Sequence, residues 1–191
     1  MSRAYVVTQK ETLTETKNIK DGLETKIDII PILPPENMGG LLLDSLIEKG
    51  YKKDPCGTSV TKVINGVRIV IDGGGVVTAE IQKEVTVNTV ITATGRSDED
   101  YKDHHERAMS QINQKLEEQR EKAKQSLSNK IDEKRADITQ VLEKVLGEEK
   151  KNIDEAINDA TIRALKQRAA QLGEIISVEE SGQDVTIRVK V

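Results

Sequence analysis

The sequence has no phenylalanine and no tryptophan, and its only aromatic residues are Tyr5, Tyr51 and Tyr101. Any core must therefore be aliphatic, built from Val, Ile and Leu, which favours a small sheet with a helix on one face. A single cysteine, Cys56, excludes an internal disulfide framework and fits a reducing compartment. The two histidines, His104 and His105, are adjacent, so the usual general-base repertoire is nearly missing. No apolar run is long enough to span a bilayer, and Met1–Lys10 turns polar too soon for a signal peptide. These absences predict a soluble, cytoplasmic chain with no membrane role.

What is present is charge. The 191 residues suit one or two domains; 32% are charged and 36% hydrophobic, so part of the chain must be mostly surface. The net charge of −4 is mild. A nucleic-acid binder would carry a basic stripe and stacking aromatics, so this balance argues against one.

All four prolines, Pro31, Pro34, Pro35 and Pro55, lie early in the chain, which is punctuated there and uninterrupted later. A short β segment is expected from Arg3 to Thr8. Asp21-Gly22 then reads as a turn into a strand over Thr25–Leu33, with Pro31 marking an edge or an early end. Glu36–Lys49 spaces Met38, Leu41, Leu42, Leu46 and Ile47 as an amphipathic helix, with Gly50 at the position after its end. Ser59–Ile64 and Val67–Asp72 flank Asn65-Gly66, the signature of a type I′ hairpin. Gly73-Gly74-Gly75 turns the chain into Val76–Ile81, and Glu84–Thr94 is β-branched enough for a further strand. These segments predict an antiparallel meander covered by the helix at 36–49.

From Asp98 to Leu172 there is no proline and one glycine, Gly147, among residues that lose little freedom in a helix. Ser97 followed by Asp98, Glu99 and Asp100 predicts its N-cap, and Gly173 its end. The stretch holds 17 acids and 15 bases, a solvated surface that specifies no partner by charge. Its apolar stripe is narrow, and Ile112, Leu116, Leu127, Ile131, Ile138, Leu142, Val145, Ile153 and Ile157 form a coiled-coil-like seam. Leu116, Leu127 and Ile138 fall eleven apart, as do Ile131, Leu142 and Ile153, a spacing that favours straight packing. After Gly173, two alternating segments around Ser181-Gly182 predict a terminal β-hairpin. If that hairpin completes the first sheet, the chain must return to its starting point. A folded-back helical pair, turning between Asn129 and Gly147, meets that need.

The expected fold is therefore α+β. Residues 1–96 make an antiparallel head with one packed helix, 97–173 a long inserted helical hairpin, and 174–191 a β-hairpin added to the head.

Candidate sites are few. Asp100 and His104 share a helix face, but the two adjacent histidines diverge by about 100° and cannot ligate one metal together. Gly73–Gly75 precedes strand-like residues, where a phosphate loop would need a helix N-terminus. Cys56 has neither a sequence-adjacent histidine nor a helix start to activate its thiol. The sequence thus offers no catalytic set, no cofactor site and no metal site, and predicts a protein that is not an enzyme.

The terminal segment Gly173–Val191 and the helix end Leu46-Ile-Glu-Lys-Gly-Tyr51 followed by strands carry one resemblance. They resemble small accessory proteins of bacterial ternary systems encoded beside a MoxR- or FtsH-type AAA+ ATPase and a von Willebrand A protein. The resemblance implies an adaptor or scaffold in a conflict system, with the ATPase or the von Willebrand A protein as partner. The seam implies self-association or the docking of a partner helix. The alternative is a nucleic-acid module using Lys122–Lys124 and Lys130–Arg135, although Glu121, Asp132 and Glu133 interleave those bases and cancel much of their attraction for phosphate.

Overall fold

The computed structural model describes residues 4–98, 102–181 and 184–190. In chain order the elements are β1 (Ala4–Lys26), α1 (Pro35–Glu48), β2 (Lys52–Lys53), β3 (Ser59–Ile64), β4 (Val67–Asp72), β5 (Val76–Asp98), α2 (Lys102–Leu172), β6 (Glu174–Ser181) and β7 (Asp184–Lys190). Strands β1 to β5 form one sheet in the order β1-β5-β4-β3-β2, and β6-β7 is a separate two-stranded sheet. The architecture is α+β, as expected.

Local sequence explains most of these elements. Asn65 (φ 51°) and Gly66 (φ 83°) supply the two left-handed residues of the β3–β4 turn. Register then pairs Val60 with Ile71 and Ile64 with Val67. Pro35 opens α1, where its missing N–H costs nothing, and Gly50 at φ 90° follows its end. A Cβ on Gly39 would lie 2.5 Å from the carbonyl oxygen of Gly73, so glycine is what allows α1 to approach the β4–β5 turn.

Two strands are much longer than their sequence suggests. Asp21-Gly22 is not a turn: β1 continues through it, and Gly22 sits against the Ala79 carbonyl on β5. Likewise β5 runs unbroken through Gln82-Lys83, because neither residue favours a turn. Alternation carries across that point: Val77, Ala79, Ile81, Val85, Val87, Ile91 and Ala93 are buried, while Glu80, Thr86, Asn88 and Thr92 are exposed. Thr16 of β1 meets Thr86 of β5, while Ile27, just after β1, donates to the carbonyl of Gly75, just before β5, so the pair is antiparallel. The strand expected at Thr25–Leu33 ends at Lys26, and the residues after it carry Pro31 and Pro34 into α1. Ser97 and Asp98, expected as cap and first turn of the helix, belong to β5.

The expected helical hairpin is corrected to a single helix. α2 is 71 residues long and does not turn between Asn129 and Gly147. Nothing in that interval requires reversal: Gly147 has no positive φ, is exposed, and is set among strong helix formers, costing only about 1 kcal/mol relative to alanine. The reason for a return also disappears, since β6–β7 stands as its own sheet and does not complete the first one.

The chain divides into two compact units, Met1–Ile19 with Lys83–Ile138, and Lys20–Gln82 with Thr139–Val191. In the first, Ile112, Leu116 and Ala123 of α2 pack with Ile91 and Ala93 of β5, joined by Val7, Leu13 and Met109. In the second, Ala164 of α2 packs with Met38 of α1 and with Leu33, bordered by Ile29, Ile32 and Leu41.

Candidate functional site

The second unit buries one charged residue among those described, Glu149, only 6% exposed, in an interior that is mostly aliphatic but also holds Ser45 and Tyr51. The stripe of α2 runs Ile138, Leu142, Val145, Glu149, Ile153, Ala156, Ala160, Ala164 at helical spacing, so the glutamate occupies a core position. Lys62 is brought beneath it because β3 alternates Val60, Lys62, Ile64 against the inward residues of β4. The Lys62 ammonium donates to both carboxylate oxygens, at 3.1 and 3.0 Å, and to the Lys49 carbonyl at 3.3 Å. The Tyr51 hydroxyl donates to the same carboxylate at 3.0 Å, and Asn152 Nδ2 adds a third donor at 2.9 Å. Lys62 Nζ also lies 5.1 Å from the Tyr51 ring centroid, within cation–π range.

Burial, then the Glu149 charge, then the hydrogen bond to it hold the Tyr51 hydroxyl pKa well above the usual phenol range. That tyrosine stays neutral and serves as a donor. Each hub group therefore has a partner that satisfies it, with no nucleophile poised beside a base. Around the hub, ion pairs tie α1 to α2. Lys49 meets Glu155 at 2.7 Å and Asp159 at 3.8 Å, and Arg163 holds Glu48 by two 2.7 Å hydrogen bonds. These pairs are solvent-facing and fix orientation more than stability.

The candidate residues of the sequence fall as follows. Of the seam, Ile112, Leu116, Leu127, Ile131, Ile138, Leu142, Val145 and Ile153 are buried within the chain, and Ile157 is half-buried. The eleven-residue series thus keeps one face of a single helix covered without requiring a second helix. Cys56 is exposed in the turn between β2 and β3. Gly73–Gly75 is a β4–β5 turn closed by Asp72, whose Oδ1 accepts the Val76 N–H at 2.8 Å. The side chains of His104 and His105 lie outside the described residues. Among the described residues, no group of three His, Cys, Asp or Glu could hold a metal ion. No described helix is long and apolar enough to cross a membrane.

Sequence reasoning missed the Glu149–Lys62–Tyr51 hub. The available signal was Glu149 itself, a charge standing where the stripe calls for an aliphatic residue.

Fold and site together define an α+β protein with a five-stranded antiparallel sheet, a short and a long helix, a terminal hairpin and, in its second unit, an ionic hub around Glu149. The family model for FtsH ternary system domain X5 matches residues 1–191, and the chain belongs to that family. This agrees with the accessory-protein resemblance drawn from its terminal hairpin. No curated protein and no solved structure matches the chain.

Proposed function

We propose that the chain is a non-enzymatic accessory subunit, a scaffold or adaptor in an AAA+ ATPase-linked bacterial conflict system, acting in the cytoplasm by binding protein partners. The observation that carries this reading is the family match over the whole chain. The chemistry supports it: among the described residues, the polar cluster around Glu149 is a satisfied structural hub. The seam side chains are spent on the chain's own interior, so partners would meet the solvated flanks of α2 and the exposed ends of the fold. The FtsH-type ATPase and the von Willebrand A protein are the partners this reading names.

The nucleic-acid alternative loses ground on specific contacts. Lys124 pairs with Glu121 and Lys134 with Asp137, while Lys130 bonds the Asn88 carbonyl and Thr89. Those bases are already engaged. The test is co-expression of the tagged chain with the ATPase of its own system, followed by purification at physiological ionic strength. Stable co-elution is expected. Separate elution of the two proteins at every concentration tried would overturn the proposal.

A further inference from the structure

We propose that the C-terminal hairpin is a dimerisation element. In this arrangement β7 pairs antiparallel with β7 of a second copy about a two-fold axis through Ile187, giving a four-stranded sheet in the order β6-β7-β7-β6.

The hairpin is only two strands wide, and among the described residues no strand pairs with either outer edge. A lone two-stranded ribbon is marginal in water, and an open edge is a template for another strand. Register pairs Ile175 with Val189 and Val178 with Ile187, so these four residues line one face together with Val185. Val178 is 37% exposed, and Ile175, Val185, Ile187 and Val189 are only half-buried.

The two edges differ in what they admit. β6 carries a register irregularity between Ile175 and Ser177, and it is acidic, with Glu174, Glu179 and Glu180. Two-fold pairing of β6 about Ser177 would set Glu174 against Glu180 of the second copy, like charges directly opposed. β7 has no such irregularity, and its sequence, Asp184-Val-Thr-Ile-Arg-Val-Lys190, is self-complementary. Centred on Ile187, all seven residues pair. Asp184 opposes Lys190 of the second copy, Val185 opposes Val189, Thr186 opposes Arg188, and Ile187 meets itself. Because the side-chain period is two, this register keeps Val185, Ile187 and Val189 of both copies on one face. A slip by one residue would oppose apolar to polar residues. Self-complementarity of this kind selects a second copy of this chain as the occupant.

The test uses the full chain with Cys56→Ser, so that added cysteines are the only thiols. Light scattering during gel filtration should give twice the 21.2 kDa chain mass as concentration rises into the tens of micromolar. Ile187→Cys should form a disulfide-linked dimer under mild oxidation, whereas Val178→Cys, its neighbour within the same hairpin, should not. Asp184→Lys, whose register partner within the hairpin is the neutral Ser181, should weaken association several-fold, and adding Lys190→Glu should restore it. A chain that stays at its monomer mass, with Ile187→Cys linking no faster than Val178→Cys, would overturn the proposal. So would a dimer indifferent to the charge exchange, since that points to stacking of the apolar faces. Either failure leaves the accessory-subunit reading standing, because co-elution with the ATPase decides that separately.

Discussion

At the scale of single residues, the structure turns on Glu149. A carboxylate taken out of water is tolerated only when its lone pairs are filled, and here Lys62, Tyr51 and Asn152 fill them. Removing one partner strands the other charge, so Glu149→Ala should cost about 3–5 kcal/mol in urea unfolding. The Lys62→Met, Glu149→Met double variant should be more stable than either single variant, because it leaves no unpaired charge; a double-mutant cycle measures this. Tyr51 adds a pH dependence. Its folded-state pKa is raised above the unfolded value of about 10, so its contribution is complete below that pH and is lost as pH rises above it. Urea midpoints should therefore fall more steeply above pH 10 in the parent chain than in Tyr51→Phe. The hub was half legible in the sequence. Glu149 interrupts an aliphatic stripe and Asn152 stands one turn on, but Lys62 comes from β3 and Tyr51 from the segment after α1, which only the fold brings to it.

At the scale of elements, short-range signals are plain in the sequence and long-range ones are not. The Asn65-Gly66 turn, the helix of α1 and the stop at Gly173 each follow from one or two residues whose backbone preference is strong. The strand end expected at Thr8, the turn expected at Asp21-Gly22 and the break expected around Gln82-Lys83 all fall inside the two 23-residue strands. Asp21-Gly22 weakens a strand locally, yet pairing along the rest of the ribbon outweighs that weakness. The same holds for α2, where the helix formers on both sides of Gly147 carry the helix through it. Gly147 is exposed, and a Cβ there would meet nothing within 4 Å. Gly147→Ala should stabilise the protein by about 1 kcal/mol, read as a raised urea midpoint. Were Gly147 the turn of a helical hairpin, alanine would lower it instead. Packing of the stripe is tested by Leu127→Ala, which removes a fully covered side chain and should cost roughly 2–5 kcal/mol.

At the scale of the whole molecule, a narrow stripe on a long charged helix suggested a seam waiting for a partner. Eight of its nine residues are buried within the chain itself. Sequence pattern records that a face must be covered without recording what covers it, and a sheet serves as well as another helix. An accessory subunit with its seam closed should meet the ATPase through surface it keeps exposed. Native-state amide hydrogen exchange, on the chain alone and with the ATPase added, tests this most directly. We predict that amides from Ile112 to Ile153 exchange only through global opening in both samples, with new protection elsewhere when the ATPase binds. Fast exchange along Ile112–Ile153 in the isolated chain, slowed only by the ATPase, would contradict it.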